Sequence, residues 1–382
     1  MVTMNSHHGL TRRIEKRGWK TTAAVALALL VVLPMAGVLL AGRDASRYLE
    51  FPPRSVYVRH APFSLAVFIA LSVGILAVVL PFVLRVLTSS PPRLPPERRR
   101  PFPWWGWAAV AFGAAAWILA WTRFEWFAGW QPYTFSPLWI AYIVTVNALT
   151  YRRIGRCMLT HRARYLLLLF PVSAAFWWFF EYLNRFVQNW HYVGIGDLGP
   201  LAYFVYATLP FATVLPAVMG TCDWLKTFPR LSAGTADFIP VRVPRNRLFP
   251  AAVLLRSCIS LTAIGVLPNF LFPMLWLSPL FLLTSIQALS GQRTLFFPVR
   301  YGDWERICRL ALSALICGFF WEMWNVYSLA KWEYAVPFVD AFHVFEMPVL
   351  GYAGYLPFGL ECAVIADLTG EAVAGRNQTG QS

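Results

Sequence analysis

Apolar residues along this chain come in nearly unbroken runs of about 17–22 positions, divided by short polar, arginine-bearing connections, and runs of that length match the apolar width of a bilayer. The pattern predicts ten membrane-spanning helices, near 21–42, 61–84, 104–122, 135–151, 165–183, 199–219, 249–267, 269–289, 307–326 and 348–367. The short alternating segments of a membrane β-barrel are missing. The expected class is therefore all-α, a polytopic bundle of transmembrane helices. With 58% hydrophobic and 13% charged residues, composition agrees with that class and excludes an ordinary soluble domain.

Lysine and arginine gather in alternate connections. They crowd the N-terminal stretch (Arg12, Arg13, Lys16, Arg17, Lys20) and the connections after the second, fourth, sixth and eighth runs, whereas those after the third, fifth, seventh and ninth hold only Arg123, Arg185 and Lys331. Read by the positive-inside rule, this places both termini in the cytoplasm. Residues 43–60, with Arg43, Arg47, Arg54 and Arg59 on the outer face, run against the rule. The net charge of +15 thus sets topology and meets anionic headgroups; nucleic acid is not expected as a partner, and membrane lipids are. The first run is too long for a signal peptide and lacks a small-x-small cleavage site, so it reads as an uncleaved anchor. The six cysteines show neither disulfide nor zinc spacing and read as reduced.

A motif series occurs twice. Glu181-x-x-Asn184, Trp190-His191-Tyr192 and Leu209-Pro210-Phe211 return as Glu322-x-x-Asn325, Trp332-Glu333-Tyr334 and Leu356-Pro357-Phe358. Duplication is the simplest source of such a series. It divides the chain into an N-terminal two-span region with a basic, proline-rich linker (1–103), a first membrane repeat (104–219), a cytoplasmic linker (220–248), a second repeat (249–367) and a disordered polar tail (368–382). Four spans per repeat is an even number, so both copies enter the membrane the same way, as parallel repeats about an axis along its normal.

The paired motifs hold the candidate chemistry. Glu181 with Asn184, and Glu322 with Asn325, each share a helix face near the outer boundary. One reading makes the carboxyls acids or bases oriented by the amides; the other makes all four a structural clasp between helices. Trp177, Trp178, Trp190, Tyr192, Trp321, Trp324, Trp332 and Tyr334 surround them, either as an interfacial belt or as the wall of a pocket for a polyene or prenyl chain, whose cationic intermediates ring faces stabilise. His191 and Glu333, with His343 and Glu346, show no metal-ligand spacing, and no nucleotide loop or haem motif is present, so neither a metal nor another cofactor is expected. Arg256 and Glu361 lie at similar depth, roughly 10 Å from the cytoplasmic ends of their helices, and neither has a counterpart in the first copy. They are expected to form an intramembrane ion pair, a clasp or a proton-handling site.

A helix ending in tryptophan and an acid, then Trp-x-aromatic, then Leu-Pro opening the next helix, resembles the membrane lycopene cyclase domain. Trp321, Glu322, Trp332, Tyr334, Leu356 and Pro357 carry the likeness in one copy, and Glu181, Trp190, Tyr192, Leu209 and Pro210 in the other. It covers about residues 120–219 and 270–367 and implies a tandem arrangement like that of fused cyclases. The family's acids directly after Leu-Pro are not kept: Ala212 and Gly359 follow Phe211 and Phe358. The whole chain also resembles polytopic inner-membrane proteins of bacteria, which adds no function. The resulting expectation is a multi-pass bacterial inner-membrane protein that binds an isoprenoid or carotenoid-like apolar lipid and isomerises, cyclises or hydrates it. The alternative is a non-catalytic transporter, lipid sensor or scaffold.

Overall fold

The expected apolar runs each contain helix in the computed structural model, which describes residues 24–90, 100–244 and 246–379. The basic stretches 1–23 and 91–99, on which the orientation reading partly rests, lie outside the described residues. In chain order the main helices are α1 (Ala24–Leu40), α2 (Leu65–Thr88), α3 (Trp104–Trp121), α4 (Phe135–Ile154), α5 (Ala163–Val187), α6 (Pro200–Phe211), α7 (Val214–Leu225), α8 (Leu248–Ala263), α9 (Met274–Leu289), α10 (Glu305–Val326) and α11 (Tyr355–Thr379). Six stretches are long and apolar enough to cross a membrane: α2, α3, α5, α6 and α7 taken together (Pro200–Leu225), α10 and Val349–Gly370. α1, α8 and α9 are apolar but shorter. The 16 residues of α8 and of α9 rise only about 24 Å, less than the apolar core of a bilayer, about 30 Å. α11 continues through Thr379, so a helix stands where a disordered tail from 368 was expected.

The core lies where α4, α5, α7, α10 and α11 pack on one another. Trp139, Phe180, Phe186, Leu215 and Phe358 are fully or almost fully buried there. α3 covers α4, and α8 pairs with α9. α1 crosses α8 so closely that a Cβ on Gly37 would stand 1.6 Å from the Thr262 carbonyl oxygen, the small-residue contact by which apolar helices approach without a hydrophobic driving force between them.

α2 is different, since none of its residues is buried. It is held at its ends. Near its C-terminus Arg85 donates to the Asp237 carbonyl (3.1 Å), Arg230 donates to the Leu87 carbonyl (2.8 Å), and Phe82 packs on Phe238 and Trp304. Before its N-terminus the Ser64 N–H donates to the Phe338 carbonyl (2.9 Å), and Phe63 and Phe68 meet Phe342.

Where α11 is continuous, α6 and α7 are separated at Ala212 and Thr213, and Pro216, which lacks an N–H, follows the break where α11 has Ala363. The Ser173 hydroxyl sits between the Phe211 carbonyl (2.6 Å) and the Leu215 N–H (3.0 Å), the i and i+4 groups that a continuous helix would join. A side-chain oxygen inserted into the ladder breaks the helix while satisfying both groups. In the second series Ala314 stands where Ser173 stands in the first, and α11 runs unbroken past Phe358. There Gly359 lets α11 lie against α10; a Cβ at that position would come 2.2 Å from the Leu310 carbonyl oxygen.

Candidate functional site: an aromatic chamber behind a two-stranded clasp

Both Trp-x-Tyr motifs are short strands, and they pair with each other. β1 (Trp190–Val193) runs antiparallel to β2 (Lys331–Tyr334), with Trp190 opposite Tyr334, His191 opposite Glu333 and Tyr192 opposite Trp332. A two-stranded ribbon this short is marginal by itself. The Glu-x-x-Asn motifs at the ends of α5 and α10 hold it in place.

The asparagines do not orient the carboxyls, as expected from the spacing, but grip the ribbon. Asn184 donates through Nδ2 to the Trp190 carbonyl (2.8 Å) and accepts the Asn189 N–H at Oδ1 (2.8 Å). Asn325 does the same to Trp332, donating to its carbonyl (2.7 Å) and accepting its N–H (2.9 Å). An amide carries one acceptor and one donor group, which matches the alternating backbone groups of an unpaired strand edge; a carboxylate would use only half of that capacity.

The carboxyls gather side-chain donors. Glu181 accepts at Oε1 from Trp177 Nε1 (3.0 Å), Trp190 Nε1 (3.0 Å) and Tyr192 (2.6 Å). Glu322, fully buried, accepts at Oε1 from Tyr334 (2.7 Å) and Tyr355 (2.6 Å), while its Oε2 has no partner. Trp332 Nε1 donates instead to the Tyr334 hydroxyl (2.8 Å). The residue four before each acid explains the difference. Trp177 fills that place before Glu181, whereas Gly318 fills it before Glu322 and leaves room for the Tyr355 ring; a Cβ on Gly318 would stand 2.4 Å from it. Burial pushes the Tyr192 and Tyr334 phenols well above their usual titration range, so both remain protonated donors at neutral pH.

Beneath the ribbon lies a chamber of about 680 Å³. Rings from both motif series line it: Trp177, Trp190 and Tyr192 from one, Trp321, Trp332 and Tyr334 from the other. Pro210 and Pro357 of the two Leu-Pro-Phe motifs also reach it. Trp178 and Trp324, expected in the same wall, point elsewhere. Trp178 donates to Thr208 (2.9 Å) and stacks on Phe204; Trp324 is buried against Trp139 and Phe320. Glu322 and Asn325 do not line the chamber. On one side α2 closes it with Ala70, Leu71, Gly74, Ile75, Val78 and Val79, a single helical stripe, so the N-terminal pair supplies a wall. Trp276, Tyr203, Tyr206, Asn189 and Lys331 also line it and were not expected. The four-residue spacing of small residues Ala70 and Gly74, continued at Val78, was the available signal for α2.

A second, smaller space of about 460 Å³ adjoins the first, bounded by Arg54, His60, Glu181, Arg185, His191 and Asp197. Trp190, Tyr192, Ile195 and Tyr203 line both spaces and form the partition between them. Its cations are already engaged: Arg54 faces Asp197 (3.8 Å), and Arg185 faces Glu50 (3.5 Å) and donates to the Arg47 carbonyl (2.7 Å). His191 lies 3.7 Å from Glu333 across the ribbon, and Lys331 bonds Glu346 (2.6 Å). That bond is the main cause holding the Lys331 ammonium above its usual range. Lys331 also faces Glu333 (3.2 Å) and so links it to Glu346, while His343 pairs with Asp340 (3.0 Å); among the described residues no group of three His, Cys, Asp or Glu could hold a metal ion.

Arg256 and Glu361 form no ion pair among the described residues. Arg256 is exposed on α8, while Glu361 is buried on α11 with neither carboxyl oxygen in a well-formed hydrogen bond; the Leu280 backbone N–H lies beside it. Equal depth along two helices does not set their rotation, and the two side chains face different surroundings.

Comparisons with protein-family models, curated proteins and solved structures found no match to this chain.

Proposed function

We propose that the chain is a multi-pass protein of a bacterial inner membrane, with ten spans, two parallel four-span repeats and both termini cytoplasmic, that binds a slender isoprenoid-like lipid in the aromatic chamber. The observation that carries this reading is the lining: the Trp-x-Tyr and Leu-Pro-Phe motifs, far apart in sequence, contribute rings and prolines to one cavity. Its volume lies in the range of ligand sites and would hold on the order of 20 methylene-sized groups, taking roughly 30 Å³ for each, the share of a water molecule. The likeness to the membrane lycopene cyclase domain supports the isoprenoid class. The antiparallel pairing of β1 with β2 supports the repeats, because a two-fold axis between identical strands relates them in this way.

Binding is favoured over chemistry. The acid of the second motif lies behind Tyr334 and Tyr355 rather than on the chamber wall, and the asparagines are committed to backbone. Glu181, Asn184, Glu322 and Asn325 serve in this reading as a clasp that fixes the ribbon over the chamber.

The test is lipid extraction and mass spectrometry of the purified protein and of Gly74→Trp. A side chain at Gly74 starts with no atom within 4 Å of its Cβ and lies on the stripe facing the chamber, so an indole there fills the cavity without displacing the bundle. The wild-type protein is expected to retain a specific apolar lipid that the folded variant loses. Equal lipid content in both overturns the reading.

A further inference from the structure

A purely apolar ligand has little reason to leave a bilayer for this chamber, since lipid tails are as apolar as the chamber walls. Selective occupancy needs a polar contact that bulk lipid does not offer. Most polar tips along the wall are already used: Tyr192 bonds Glu181, Tyr334 and Tyr355 bond Glu322, and Tyr206 bonds the Pro132 carbonyl (2.7 Å). Two are not. Asn189, 5% exposed, spends its backbone N–H on Asn184 and its carbonyl on Ala335, but its side-chain Oδ1 has no partner. Tyr203 packs its ring on Phe51 and Trp178 and lines the cavity, and no hydrogen bond joins its hydroxyl to another of the described residues. Buried polar groups are rarely left unpaired, so the Asn189 oxygen, with a phenol free to bond on the same cavity, marks a place where a ligand's polar group belongs.

Tyr203 lies at the partition and Asn189 on the chamber side of it. Asn189 precedes Trp190, and Tyr203 lines the chamber and the outer space alike, beside Tyr192 and Glu181. The charge there decides the kind of head group. Glu181 stands beside the partition, and Arg54, Arg185 and Lys331 are held by Asp197, Glu50 and Glu346, so a phosphate or carboxylate would meet a carboxyl without a free cation to offset it. An uncharged hydroxyl can donate and accept at once, which suits an amide and a phenol.

Resting on the chamber reading above, we infer that the ligand is a lipid alcohol, its chain among the rings and its hydroxyl at the Asn189 and Tyr203 end.

The experiment uses the full chain in lipid nanodiscs and three probes of one isoprenoid chain, on the order of 20 carbons to suit the volume: the alcohol, the hydrocarbon with hydrogen in place of the hydroxyl, and the phosphate monoester. Quenching and shift of tryptophan emission report occupancy, because five indoles line the chamber: Trp177, Trp190, Trp276, Trp321 and Trp332. The alcohol is expected to bind about tenfold more tightly than the hydrocarbon. Tyr203→Phe and Asn189→Leu should each bring the alcohol toward the hydrocarbon's affinity and leave hydrocarbon binding within about twofold, which also shows that the variants remain folded. Equal affinity of alcohol and hydrocarbon for the wild-type protein, or tighter binding of the phosphate, overturns the alcohol assignment while leaving the chamber as a lipid site. Binding of none of the three overturns both.

Discussion

Replacing Glu322 by alanine tests whether the duplicated acid is a clasp. Its Oε1 is the acceptor for two buried phenols, Tyr334 at 2.7 Å and Tyr355 at 2.6 Å. Removing it takes that acceptor from both hydroxyls, at about 1–3 kcal/mol for each one left unpaired, or up to about 2–6 kcal/mol together. That is a large share of the stability of a typical domain. Glu322→Gln keeps an oxygen for the two phenols and places its NH₂ where the unpartnered Oε2 now lies, so its cost is one unsatisfied donor, about 1–3 kcal/mol. The clasp therefore predicts a graded loss, alanine well below glutamine and glutamine below wild type. A proton-transfer role predicts something different, a glutamine variant that folds as wild type and has lost only activity. Thermal unfolding in detergent, followed by tryptophan emission, reads the order directly. A thermodynamic cycle with Tyr355→Phe sharpens it. Once Glu322 is gone, the Tyr355 hydroxyl is a liability, so Tyr355→Phe should recover about 1–3 kcal/mol in the Glu322→Ala background while destabilising the wild type. Unchanged melting of Glu322→Ala, or strict additivity of the two substitutions, would refute the clasp.

Gly318→Ala should destabilise by a similar route, because its Cβ would stand 2.4 Å from the Tyr355 ring and drive that ring off Glu322. The expected cost is about 1–3 kcal/mol in thermal unfolding, and a variant that melts with the wild type would show that Tyr355 has room to move. At the outer loop, Glu50 is held below its usual 4.5, first by the Ser55 N–H and also by the Arg54 N–H and the Arg185 charge, against an opposing effect of burial. Its stabilising contribution is complete above pH 4.5 and fades as pH falls through the lowered folded value, where protonation ends those interactions. The hydrogen-exchange protection of the Arg54 and Ser55 amides, measured against intrinsic exchange at each pH, should therefore drop on acidification below that range in the wild type. Protection should already be low, and lack this step, in Glu50→Gln; an acid step of equal size in both proteins would refute the assignment.

How far the sequence could lead is clearest at the two acids. Run length announced the helices because a bilayer sets one scale for every span. The duplicated Glu, Asn, Trp and Tyr were legible as a set because their order repeats, and the structure brings them to one ribbon. What sequence could not convey was rotation and depth. Arg256 and Glu361 agree in depth and yet do not meet, since counting residues fixes height along a helix but not the direction a side chain takes from a kinked or crossing one. Nor could it convey which wall of the chamber a remote helix supplies: α2 belongs to neither copy of the motif, and its contribution depends on anchoring at Ser64, Phe82 and Arg85 that no local pattern reveals. The most instructive case is Gly318. As a glycine inside a helical run it reads as a helix–helix contact, and only the packing shows it to be the vacancy that lets Tyr355 replace the donor Trp177 supplies to the other acid. The two motif series thus supply a carboxyl with donors by different means, a ring from its own helix in one and a ring from α11 in the other. Conserving the bond while exchanging the residue that makes it is the outcome expected when the buried acceptor must be satisfied but the identity of its donor is free.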